Sequence, residues 1–224
     1  YVNGDYASAI ARYQRAITIY EKSYGYEHLE LAEPLANLGR ALVNLGDYTA
    51  ARDALVRALA IQEKAYGADH PKVAATLDDI GIALHHLGDY AGARIKHERA
   101  LTIHTKAYES NHPKVAASLG NLGTVLQDMG DYVGARVQHE RALAIRRKAY
   151  GPEHPTVATS LESLGVLLYD VGDYVGAWVQ HERALAIRRK AYGPEHPKVA
   201  ASLGNLGIVL HELGDYKDAL ALQE

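Results

Sequence analysis

Residues 112–154 read HPKVAASLGNLGTVLQDMGDYVGARVQHERALAIRRKAYGPEH. This stretch decides the fold, because it holds two helices and the punctuation of both. Pro113 suits the first turn of a helix, where its missing N–H needs no partner. Val115, Leu119, Leu122 and Leu126 follow at helical spacing, which predicts a first helix over Pro113–Met129. Gly130 is placed to supply the left-handed stop, and Asp131 to cap the next helix. That second helix is predicted over Asp131–Tyr150, with Ala135, Ala142, Ile145 and Ala149 on its inner face. Arg146, Arg147 and Lys148 lie in its last turns, where cations complement the helix dipole. Gly151-Pro152-Glu153-His154-Pro155 is then a stop followed by a start. No segment alternates apolar and polar residues over strand length, so no sheet is expected.

The same grammar runs through the whole chain. Gly-Asp-Tyr occurs at Gly4, Gly46, Gly88, Gly130, Gly172 and Gly214, always 42 residues apart. His-Pro keeps the same step at His70, His112, His154 and His196, with His28-Leu29 as a worn first copy. A fixed period of this length signals a stacked repeat architecture. Gly130–Val171 and Gly172–Leu213 agree at 32 of 42 positions. The expected organisation is one continuous array over 1–224. Residues 1–24 form the second helix of a truncated repeat, 29–66, 71–108, 113–150 and 155–192 form full helix pairs, and 197–224 form a last pair with a truncated second helix.

Composition narrows the function. Of 224 residues 48% are hydrophobic and 23% charged, which excludes a disordered or fibrous chain. The 24 Lys+Arg and 27 Asp+Glu leave a formal charge of -3, too balanced to favour nucleic acid or an anionic membrane as partner. Cysteine is absent, which removes disulfides, thiolate metal sites and a cysteine nucleophile. No apolar run reaches the length of a membrane span. The chain opens at Tyr1 rather than Met, which reads as a piece of a longer polypeptide.

Leu119, Leu122-Gly123, Leu126, Gly130, Tyr132, Ala135 and Ala142 resemble the tetratricopeptide pattern. The 42-residue step, the His-Pro-x-Val-Ala-x-Ser-Leu start and the Arg-Ala-Leu-x-Ile segment resemble the longer variety found in kinesin light chains. The resemblance covers essentially the whole chain. It implies an all-α fold, a right-handed α-solenoid of antiparallel helix pairs, and a non-enzymatic scaffold that binds an extended peptide in its concave groove. It also implies a cytoplasmic location. The chain departs where the family often has Tyr on the second helix: Tyr13 keeps it, while Leu55, His97, His139, His181 and Leu220 do not.

The copies can be compared with one another. Between the two most alike, one of the first 26 positions differs, Arg136 against Trp178, and nine differences fall in the first helix. Thr159, Glu162, Ser163, Val166 and Asp170 among them are spaced along one helix face. Val157, Leu161, Leu164, Gly165 and Leu168 on the other face hardly change. The drifting stripe is the expected peptide-binding surface, and an exposed stripe that drifts because nothing restrains it is the competing reading.

One row of the stripe holds Asn37, Asp79, Asn121, Ser163 and Asn205. Asparagine is unfavourable in mid-helix, but its carboxamide donates and accepts at once. In related arrays a similar asparagine ladder grips the backbone of the ligand. Here Asp79 and Ser163 interrupt it. The adjoining rows carry Arg40, Ile82, Thr124, Val166 and Ile208, then His85, Gln127, Tyr169 and His211, then Asn44, His86, Asp128, Asp170 and Glu212. The acidic and β-branched members favour a ligand with basic and apolar side chains. Gly120 and Gly204 face the same side.

Twelve histidines raise metal binding, but His28, His70, His112, His154 and His196 belong to the inter-repeat turn. His97, His139 and His181 recur on the second helix, one repeat apart, too far to share an ion. No metal, cofactor or catalytic residue is expected. Trp178 replaces an arginine seen in three other copies, Arg52, Arg94 and Arg136, and is a candidate surface anchor. Neither end carries a polar capping repeat, so head-to-tail self-association is expected at high concentration. Two other functions stay open. One is a ligand-sensing, autoinhibitory array of a larger nucleotide-dependent signalling protein. The other is a purely structural or engineered array with no ligand.

Overall fold

A computed structural model describes residues 3–214. They divide between residues 109 and 110 into two compact units. The first holds α1 (Asn3–Tyr24), α2 (Ala32–Leu45), α3 (Tyr48–Tyr66), α4 (Pro71–His86) and α5 (Tyr90–Ala107). The second holds α6 (Pro113–Asp128), α7 (Tyr132–Tyr150), α8 (Pro155–Asp170), α9 (Tyr174–Tyr192) and α10 (Pro197–Glu212). No strand occurs among the described residues. The expected final second helix and its cap Asp215 lie outside them, as does Leu220.

The punctuation acts as its chemistry predicts. Met129 ends α6, Gly130 takes φ 82°, and its N–H donates to the Gln127 carbonyl at 2.9 Å. The Asp131 N–H reaches back to the Leu126 carbonyl, also at 2.9 Å, so two orphan carbonyls are satisfied. The Asp131 carboxylate then accepts from the Gly134 N–H at 2.9 Å and starts α7. Histidine is the cap that sequence reasoning missed. At His28, His70, His112, His154 and His196 the ring Nδ1 accepts from the N–H two residues on. Tyr66, Tyr150 and Tyr192 stack on these rings at 4.5–4.6 Å.

Two local departures have causes in the chain. Leu29 stands where other copies have proline, and α2 begins only at Ala32 after a 3-10 turn over Leu29–Leu31. Pro34 lies in the first turn of α2, which makes the later start natural. Glu109 replaces the glycine seen at Gly67, Gly151 and Gly193, so α5 stops at Ala107 with Tyr108 extended. The division between the two units falls at this copy.

Each helix pair closes on a glycine. Leu55 lies over Gly39, His139 over Gly123 and His181 over Gly165; a Cβ on these glycines would stand 2.4, 2.7 and 2.6 Å from the facing side chain. The position that departs from the family tyrosine therefore packs within its own pair, against the glycine of the first helix. His139 and His181 are 1% and 2% exposed.

Inside each unit the first helices sit side by side. α2 touches α4, α6 touches α8, and α8 touches α10, while the backbones of α3 and α5, and of α7 and α9, stand apart. The first-helix face is thus the inner side of each unit's curve. Side chains bridge the wider outer side. Arg57 meets Glu21 and Arg99 meets Glu63, both at 2.6 Å. The α7 residue equivalent to Glu21 and Glu63 is Arg147, whose Nε is buried without a hydrogen bond. Burial, and then Arg183 of α9, push its guanidinium below the usual range. Arg147→Glu should rebuild the ion pair of the earlier copies. We expect a gain of about 0.5–1 kcal/mol in urea unfolding at low salt, fading at high salt. An unchanged midpoint at low salt would count against it.

Candidate functional site

The stripe that varies between copies is where the fold leaves it open. Val157, Leu161, Leu164 and Gly165 are buried in α8, while Thr159, Val166 and Asp170 are exposed and Glu162 and Ser163 half-buried. Val166 and Ile208 are 41% and 51% exposed, and Thr124 beside them is exposed too. Asn44, Asp128 and His211 are exposed at the ends of α2, α6 and α10. Asn37 and Asp79 in the first unit, and Asn121, Ser163 and Asn205 in the second, are all half-buried.

Hydrogen bonding sorts that row. Asn37 accepts from the Arg40 guanidinium, and Arg40 also pairs with Asp79 of α4 at 3.0 Å. Ser163 donates to the Thr159 carbonyl at 3.2 Å. The carboxamides of Asn121 and Asn205 have no side-chain hydrogen bond among the described residues. The interrupted ladder therefore contains two disengaged members, on α6 and α10, both in the second unit.

The acidic members are largely spoken for. Gln127 of α6 donates to Asp170 of α8 at 2.6 Å. The Tyr169 hydroxyl reaches Glu212 of α10 at 3.5 Å. Burial, then Glu212, raises the Tyr169 phenol. Glu162 is held by Arg188 and Ser202. These lateral contacts engage the three carboxylates, but of them only Glu162 is paired with a cation.

Arg188 is one of four equivalent residues with no site role in the sequence reading, where only Arg146 appears, as a cation complementing the helix dipole. Gln62, His104, Arg146 and Arg188 recur at the 42-residue step and turn inward toward the first helices. Gln62 accepts from the Thr76 hydroxyl at 2.7 Å, and His104 lies 3.8 Å from Asp78. Arg188 donates to Glu162, to Ser202 at 2.9 Å and to the Lys198 carbonyl at 3.2 Å. The signal for this set is a partial covariation 26 residues apart, seen in three of the four copies and absent at Arg146, whose counterpart is Gly120. Ala36 accompanies Gln62, Asp78 accompanies His104, and Glu162 accompanies Arg188.

Trp178 lies on the second helix, away from the stripe, and is 38% exposed. Its counterparts Arg94 and Arg136 pair with Glu98 and Glu140 one turn on, at 2.7 and 2.9 Å. Among the described residues no three histidine, aspartate or glutamate side chains converge as a metal ion would require. No helix among them is long and apolar enough to cross a membrane.

The comparisons with known proteins agree with this geometry. The tetratricopeptide repeat model matches residues 1–64, 34–106, 79–148, 115–177 and 179–224, and a second model of that repeat matches 157–198. No curated protein matches the chain. Among solved structures, BtubC (BKLC) from P. vanneervenii is similar at a TM-score of 0.79 and 24% identity, over 97% of this chain and 87% of that one. A Podosopora anserina putative kinesin light chain with nearly identical TPR-like repeats is similar at 0.71 and 27%, over 87% and 92%. The apo form of RapI is similar at 0.71 and 17%, over 97% and 89%. The first and third likenesses speak to fold alone. With helix pairs at a 42-residue step and matching family models along its length, the chain belongs to the tetratricopeptide repeat family.

Proposed function

We propose that this chain is a protein-interaction scaffold that holds an extended peptide on the inner face of its first helices. Family and fold support the scaffold role. The observation that carries the peptide reading is the pair Asn121 and Asn205. Each is half-buried on the inner stripe, and among the described residues neither carboxamide has a hydrogen bond. A half-buried amide without a partner is costly, and a peptide backbone offers the donor and acceptor it lacks. The exposed Val166 and Ile208 beside them add apolar contact.

A random-peptide display selection on the full chain tests this. Peptides enriched on the parent should bind Asn121→Ala/Asn205→Ala about tenfold to a hundredfold more weakly, the worth of two lost hydrogen-bonding groups. Asn37→Ala should matter less, because Arg40 already occupies that carboxamide. Enriched peptides indifferent to Asn121 and Asn205 would remove the asparagine grip. No enrichment at all would favour a role without a peptide ligand.

A further inference from the structure

On the outer side of the first unit, arginines at one register meet a glutamate of the preceding second helix. Arg57 of α3 pairs with Glu21 of α1, and Arg99 of α5 with Glu63 of α3, both at 2.6 Å. In the second unit Arg183 of α9 keeps the arginine place, but the glutamate place on α7 holds Arg147. Two guanidiniums therefore face each other where the earlier copies set one guanidinium against one carboxylate.

Neither charge is neutralised. Among the described residues Arg147 and Arg183 make no side-chain hydrogen bond or ion pair, and the Nε of Arg147 is buried. They are close enough to repel, since after burial it is the Arg183 charge that depresses the Arg147 guanidinium. Glu153, the counterpart of Glu27, is engaged by Lys190 at 3.4 Å, as Glu27 is by Lys64 at 2.7 Å. Between α1 and α3 this register lines a hollow of about 440 Å³ beside Tyr26, Arg57, Ala60 and Lys64. In the second unit Ala186 and Lys190 keep the alanine and lysine, and the smaller Pro152 replaces the tyrosine. Like charges held side by side on two helices are costly until an anion joins them.

We infer that Arg147 and Arg183 form a receptor, on the outer side of the second unit, for the phosphate group of a phosphorylated protein segment. The phosphate takes the place that Glu63 holds against Arg99, and its further negative charge meets the arginine that stands for the glutamate. Charge favours phosphate over carboxylate here. A phosphate monoester carries about −1.5 to −2 at neutral pH, which matches two guanidiniums, whereas a carboxylate leaves one cation uncompensated. The planar guanidinium forks also fit phosphate oxygens. A nucleic-acid strand needs a longer basic track than a chain of formal charge -3 offers. A protein segment is the occupant that an interaction scaffold presents itself to. The site lies on second helices, apart from the inner stripe, and does not depend on the asparagine grip.

The test is fluorescence anisotropy at pH 7.5 and physiological ionic strength, using the full chain and labelled peptides Gly-Ala-Ala-X-Ala-Ala-amide. X is phosphoserine, glutamate or serine. The phosphoserine probe should bind saturably and about tenfold or more tightly than the glutamate probe, with the serine probe weakest. Inorganic phosphate should displace it only well above the Kd of the peptide. Arg147→Glu restores the internal ion pair of the earlier copies, which favours the fold, and should abolish binding. Arg183→Gln removes one guanidinium and should weaken binding about tenfold. Arg189→Gln removes the same charge from an exposed arginine one repeat on from Arg147, and should change the Kd less than about twofold. Equal binding of the three probes, no saturable binding, or binding that survives Arg147→Glu would overturn the inference. Equal losses in Arg183→Gln and Arg189→Gln would overturn it in favour of diffuse charge, and displacement by phosphate at the Kd of the peptide would overturn it in favour of the free ion.

Discussion

His139→Leu/His181→Leu is expected to stay folded at pH 5 in urea concentrations that unfold the parent. Both rings are buried against a glycine, and each keeps one ring nitrogen without a hydrogen bond, Nε2 of His139 and Nδ1 of His181. Burial lowers both from 6.5 to about 4, and for His139 the nearby Arg146 charge adds to it. The folded state therefore holds these rings neutral where the unfolded chain protonates them. Stability is full above pH 6.5 and falls as the pH drops from 6.5 toward 4. The cost at pH 5 is about 2 kcal/mol per histidine, rising to about 3 below pH 4. Leucine is a tested occupant, since Leu55 lies over Gly39 in the same way. Urea unfolding followed by circular dichroism at pH 7.5 and pH 5 reads the difference. Parent and variant losing the same stability between those two pH values would show that other groups govern acid sensitivity.

Gly123→Ala and Gly165→Ala should each destabilise by about 2–3 kcal/mol, although alanine is the better helix former by about 1 kcal/mol. The new methyl would stand 2.7 Å from the His139 ring or 2.6 Å from the His181 ring. Neither ring is the free end of a flexible chain, because both are fully buried. The helices of each pair would have to separate. Combining Gly123→Ala with His139→Ala should recover part of the loss, a coupling that a double-mutant cycle measures directly. A stabilising Gly123→Ala would mean that the pair yields without cost.

Much of this architecture is legible because its signals are local. Pro113, Gly130, Asp131 and Gly151 each act within a few residues of themselves, and helix ends follow from them. The buried and open faces of α8 are legible for the same reason, since helical spacing alone separates Leu161 from Ser163. What escapes sequence reasoning depends on neighbouring helices. Gln127 finding Asp170, or Tyr169 finding Glu212, joins residues 43 apart through lateral spacing that only the packed units set. Arg146 looks like a helix-end cation, and its inward turn toward Ser160 depends on where α8 lies. The histidine caps escape because an imidazole nitrogen is an unusual N-cap, while the period that marks them is plain.

The junctions within helix pairs are interchangeable parts. Gly130 takes φ 82° and Gly172 takes φ 81°, each followed by the same aspartate cap. Excising residues 130–171 would join Met129 to Gly172 and bring His181 over Gly123, the kind of contact His139 makes there now. A gene built this way can lose or gain a 42-residue module in a single recombination event and still encode closed helix pairs. Length then evolves in jumps, whereas the inner stripe is rewritten one codon at a time.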